Sequence, residues 1–88
     1  MKPAGFIVMK GGKPCALLNV SGLNRGGVLL PGAPVVCFLK RRDVRRAINR
    51  SSRIAETITG SLIETWARER APEIFEKTAY EILPLAKQ

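Results

Sequence analysis

The 88-residue chain has no histidine, two cysteines, one tryptophan and one tyrosine. Without histidine it lacks the commonest general base, the commonest zinc ligand and every Ser–His or Cys–His nucleophile pair. Most hydrolase chemistries are excluded with them. Cys15 and Cys37 are 22 positions apart on segments that read as strands, which is neither a C-x-x-C redox motif nor a zinc set. They read as small buried thiols, with a disulfide between neighbouring strands or a reactive thiol as the alternatives. Cys15 with a lysine, or a pair of the later glutamates, has no spacing that assembles a reaction centre. The expectation is a non-enzymatic protein with no cofactor and no metal.

Long apolar runs are also missing. The longest is Val35 to Leu39, far short of the about 18 consecutive apolar residues of a membrane span. Lys2 and the short stretch Phe6 to Met9 do not amount to a secretory signal, so the expected location is cytoplasmic, with no membrane partner. Asn19-Val20-Ser21 and Asn49-Arg50-Ser51 match the glycosylation acceptor pattern, which has meaning only in a secreted protein. Gly11-Gly12-Lys13 lacks the rest of a phosphate-loop motif, and a hairpin turn accounts for its glycines.

Of the residues present, 45% are apolar and 25% charged, a composition that folds as one small domain with a thin core. The expected class is α+β. Residues 5–10 and 13–19 read as a hairpin turned by Gly11-Gly12, and residues 35–40 as a third strand. Residues 20–34 form a Gly/Pro-rich loop in which Val28-Leu29-Leu30 is either a short strand or a flap over the sheet. The apolar runs in these strands are continuous rather than alternating, so both sheet faces need cover. Helices suffice for one face; the Val28–Leu30 segment or a second copy of the chain is required for the other, which makes a homodimer one expectation.

From Asp43 the period changes to that of a helix. Val44, Ala47, Ile48, Ser51, Ile54, Ala55, Ile58, Leu62 and Trp66 fall on one side, with Arg42, Arg46, Asn49, Arg50 and Arg53 opposite. Gly60 followed by Ser61-Leu62-Ile63-Glu64 combines a helix-ending glycine with a capping box and predicts a break there. A further helical segment is expected from Pro72, with Ile74, Phe75, Ala79, Ile82 and Leu83 as its stripe. Residues 80–85 have an alternative as an edge strand that tolerates Pro84.

Charge is unevenly divided. Residues 1–53 carry a net +10 and residues 54–88 a net −2. Lys40, Arg41, Arg42, Arg45, Arg46, Arg50 and Arg53 stand within fourteen residues interrupted by one acid, Asp43. Cations near a helix N-terminus oppose the helix dipole, at about 0.3–1 kcal/mol each, so local stability does not favour them. Free N–H groups and guanidinium forks at such an end do suit phosphate or carboxylate.

Three readings follow. The face is solvated or paired with the chain's glutamates; it binds DNA or RNA phosphates with low sequence specificity, Asn49 alone being of the type that reads adenine; or it docks on an acidic protein or nucleoprotein. The last would fit a small inhibitor or adaptor of the kind made by phages and mobile elements, anti-CRISPR proteins among them, by analogy of size and type alone. Lys10, Lys13 and Arg25 are possible auxiliary cations if they fold onto the same side.

Overall fold

The computed structural model describes residues 3–18, 27–76 and 79–86. These residues form an antiparallel five-stranded sheet with helices packed against it, so the chain is α+β. Strand β1 (Gly5–Lys10) turns through Gly11 and Gly12 into β2 (Lys13–Leu18). Both glycines have positive φ, 60° and 77°, a pair of values that suits a two-residue hairpin turn and that side chains resist.

The hairpin opens almost at once. β1 and β2 pair only at Met9–Pro14 and Lys10–Lys13; β2 then peels away to pair with β3 (Val28–Pro31) from Cys15–Pro31 to Leu18–Val28. The two-residue strand β4 (Cys37–Phe38) takes the vacated edge of β1 at Ile7 and Phe6. On the other edge, β1 pairs along its whole length with β5 (Tyr80–Leu85).

Helix α1 (Arg41–Ile58) lies across this sheet and buries Val44, Ala47, Ser51, Ile54 and Ile58. These positions recur every three or four residues, as one helical face must. Its first half packs into a cluster of Phe6, Val8, Cys15, Leu29, Val44 and Ala47; its second half joins Val28, Leu30, Ile54, Ile58, Ala67, Ala71 and Ile74. β3 thus divides the core, with Leu29 in the first cluster and Val28 and Leu30 in the second. Burial on both faces explains its unbroken apolar run.

β3 also leaves one backbone edge without a strand neighbour, and side chains close it. The Leu29 N–H donates to Ser51 Oγ at 3.0 Å, the Ser51 hydroxyl donates to the Ala47 carbonyl at 2.8 Å, and the Tyr80 hydroxyl donates to the Leu29 carbonyl at 3.0 Å. A buried edge with unmet groups costs about 1–3 kcal/mol for each. Ser51 therefore sits mid-helix as the group that ties α1 to the strand.

Several expectations are corrected. The third strand is two residues long rather than six. Of the two alternatives for Val28–Leu30 it takes the short strand, and among the described residues the opposite face, with Ile7 and Met9 half-buried and Leu83 exposed, is left uncovered. Cys37 is exposed on that open face while Cys15 is buried, and both thiols are free.

Beyond α1, the chain turns at Gly60 (φ 82°) into α2 (Glu64–Arg70), a single 3-10 turn (Pro72–Phe75) and then β5. No helix runs through residues 72–83. Pro72 starts a helical turn as expected, but the free edge of β1 offers residues 80–85 a full ladder of hydrogen bonds. Leu62 and Trp66 leave the apolar stripe of α1, because the helix ends before them: Leu62 is fully exposed and Trp66 is 44% exposed. The expected capping box does not form: Glu64 Oε1 accepts the Gly60 N–H at 2.8 Å rather than that of Ser61, whose N–H and Oγ both donate to the Ile58 carbonyl.

Candidate functional site

The outer face of α1 carries Arg42, Arg45, Arg46, Asn49 and Arg53 exposed, with Arg50 partly covered. Lys40, just before the helix, is exposed and extended, and its side chain makes no cap hydrogen bond. Arg41 rests its guanidinium 5.2 Å from the centre of the Phe6 ring, which holds its stem on the sheet. Arg46, Asn49, Arg50 and Arg53 are brought together with Ile54 and Thr57 around one groove of about 420 Å³ along a flank of the helix. At 1.5 Å per residue, three guanidiniums are spread over about 10 Å of helix. Arg41 and Arg45 lie toward the other flank at 100° per residue, and Arg42 near the crest.

Among the described residues no carboxylate neutralises this groove. The seven acids of the chain are all among the described residues, and there the ion pair formed is Arg68 Nε to Glu64 Oε2 at 3.5 Å, on α2. The pairing of the stripe with the chain's own glutamates is therefore not found within one chain. Six uncompensated cations in thirteen residues raise the potential at the helix surface, and guanidinium forks offer bidentate bonds to phosphate or carboxylate oxygens.

The auxiliary cations divide. Lys13 is exposed beside the hairpin turn, and Arg25 lies outside the described residues. Lys10 is corrected: it is buried, not part of a basic surface. Its ammonium donates to the Glu73 carbonyl at 2.9 Å and sits 4.5 Å from the centre of the Tyr80 ring. The side chain points to the helix side because Phe6, Val8 and Lys10 alternate onto that face of β1.

Lys10 belongs to a larger groove of about 730 Å³ on the opposite flank of α1, whose lining includes Ser51, Glu56, Arg68, Glu76 and Tyr80. Burial lowers the Lys10 pKa, against the raising influence of Glu76, Cys15 and Glu73. Burial likewise pushes the Cys15 thiol and the Tyr80 phenol up, partly offset by the Lys10 cation for the thiol and by the nearby Ser51 hydroxyl for the phenol. Among the described residues no buried side-chain nitrogen or oxygen lacks a hydrogen-bond partner, and no three His, Cys, Asp or Glu side chains gather closely enough to hold a metal ion.

Leu62 and Trp66 are the residues that the helical period misplaced. The signal was present in Gly60, whose left-handed backbone ends α1 and frees both side chains from its apolar face. No protein-family model, no curated protein and no solved structure matches this chain.

Proposed function

We propose that the protein is a non-enzymatic binding module that holds nucleic-acid phosphates on the outer face of α1. The observation that carries this reading is the groove of Arg46, Asn49, Arg50 and Arg53, in which no guanidinium meets a carboxylate of the chain. Internal stability gives no reason for so many cations on one helix, since they repel one another and Arg41 and Arg42 oppose the dipole in the first turn. An external polyanion does. Arginine rather than lysine fits as well, because phosphate oxygens take two parallel N–H bonds from one fork.

The contacts are to backbone phosphates, so DNA and RNA are both substrates and sequence preference is low. A mobility shift of short duplex DNA, duplex RNA and single strands across a salt series tests the reading. Affinity is expected to fall steeply with salt as counterions are released. Arg46→Glu with Arg50→Glu is expected to abolish the shift and to leave the circular-dichroism spectrum unchanged. Binding that is equally tight at low and high salt, or no shift at low salt, would overturn it and move attention to an acidic protein surface as the partner.

A further inference from the structure

The arginine groove does not end at Arg53. Thr57 lines it and also lines a second hollow of about 350 Å³, whose other walls are Ile58, Ser61, Leu62 and Ile63. The floor continues likewise, from Ile54 in the first groove to Ile58, one helical turn on, in the second. A charged track thus opens directly into an apolar one where α1 turns at Gly60. Leu62 stands fully exposed on the rim of that hollow, and Trp66 is partly exposed on the first turn of α2, on the flank opposite Arg68. Among the described residues Leu62 belongs to neither core cluster, whereas its neighbour Ile63 packs against one.

We infer that the two hollows form one track for a strand with unpaired bases, in which Arg46, Arg50 and Arg53 take phosphates and the Leu62 end receives an unstacked base. The inference rests on the phosphate-binding reading of α1 and names its substrate as single-stranded nucleic acid. A duplex presents only phosphates and sugars to such a track and keeps its base faces stacked inside, so it has nothing to lay against Leu62, Ile58 and Ile63. A single strand has the apolar faces of its bases free.

The test is fluorescence anisotropy of a labelled oligothymidylate and of a labelled short duplex, each titrated with wild type, with Leu62→Ala and with the Arg46→Glu, Arg50→Glu pair. Because Leu62 is exposed, its truncation leaves the fold intact, as thermal denaturation will verify. Leu62→Ala is expected to weaken the single strand by about fivefold or more and to leave the duplex within error of wild type, while the arginine pair abolishes both. If Leu62→Ala affects neither ligand, or both equally, with the arginine pair still abolishing both, the base subsite is wrong and the phosphate face stands. If the arginine pair leaves both ligands bound, or wild type binds neither at low salt, the reading beneath the inference fails with it.

Discussion

The two flanks of α1 carry opposite solutions to the presence of charge. On one, Lys10, Arg68, Glu56, Glu76, Tyr80 and Ser51 surround a groove in which both signs occur and the buried Lys10, Ser51 and Tyr80 groups are hydrogen-bonded to the backbone. On the other, Arg46, Arg50 and Arg53 line a groove with no acid in it. A self-satisfied network ties elements of the fold together and asks nothing of the surroundings. A groove of one sign contributes nothing to folding and is satisfied only from outside. Placement on the same helix makes the contrast sharp, since both flanks share one backbone and one set of core contacts.

The contrast breaks if the two flanks respond alike to substitution. Reversing Arg46 and Arg50 should have the largest effect on binding and the least on stability: the mobility shift should be lost even at low salt, where phosphate contacts are strongest, with the melting temperature held. Ser51→Ala should do the reverse. It removes the acceptor for the buried Leu29 N–H and should cost about 1–3 kcal/mol, read by urea denaturation, while binding per folded molecule stays constant. A Ser51 variant that lost binding at full stability would show that the two flanks are not separate.

How much of this division was legible in the sequence depends on the range of the forces involved. α1, its buried face and its arginine face follow from a period of 3.6 residues, a local property. So does the Gly11-Gly12 turn. Helical periodicity over residues 72–83 misled because Ile74, Phe75, Ala79, Ile82 and Leu83 fit a helix locally, whereas β5 is decided by a hydrogen-bonding edge seventy or more residues away at Gly5–Lys10. Lys10 misled for a related reason. A lysine at a hairpin reads as solvent-facing, and only the arrival of Tyr80 and the Glu73 carbonyl makes its burial tolerable. Of the candidate site, the arginines were visible, but the hollow at Leu62 was not, because a helix period carried through Gly60 assigns Leu62 to the core.

Lys10 supplies a subtler test of the self-satisfied flank through pH. Its pKa in the folded protein is lowered from 10.5 by burial, so between the lowered value and 10.5 the unfolded chain holds the proton more often than the folded one. Stability attributable to Lys10 therefore rises with pH across that window. Cys15 and Tyr80 act oppositely: their pKa values are raised from 9.0 and 10.0, and the stability they contribute declines once pH passes those unfolded values. Subtracting the stability of Lys10→Met from that of wild type isolates the lysine. The difference should move in favour of wild type as pH is raised from neutral toward 10.5, measured by urea denaturation at each pH. Loss of Lys10 also removes the cation that lowers the Cys15 pKa, which pushes the difference in the same direction.

The smallest effect expected belongs to Glu64, and it separates local capping from both flanks. Its carboxyl accepts the Gly60 N–H at 2.8 Å, and that bond, ahead of the nearby Arg68, holds its pKa below the usual 4.5. A carboxylate with a depressed folded pKa contributes stability that is present above the unfolded value and lost as pH falls through the folded one. The group lies at the surface, partly exposed, so the contribution is slight, and the informative readout is its own titration. Followed by NMR, Glu64 should titrate below the usual 4.5 of a glutamate side chain. Replacing Arg68 with Ala should leave most of that depression in place, because the backbone hydrogen bond is its principal cause. A Glu64 titration that reverted fully in the Arg68→Ala protein would assign the depression to the ion pair, and the turn at Gly60 would then owe its geometry to the glycine alone.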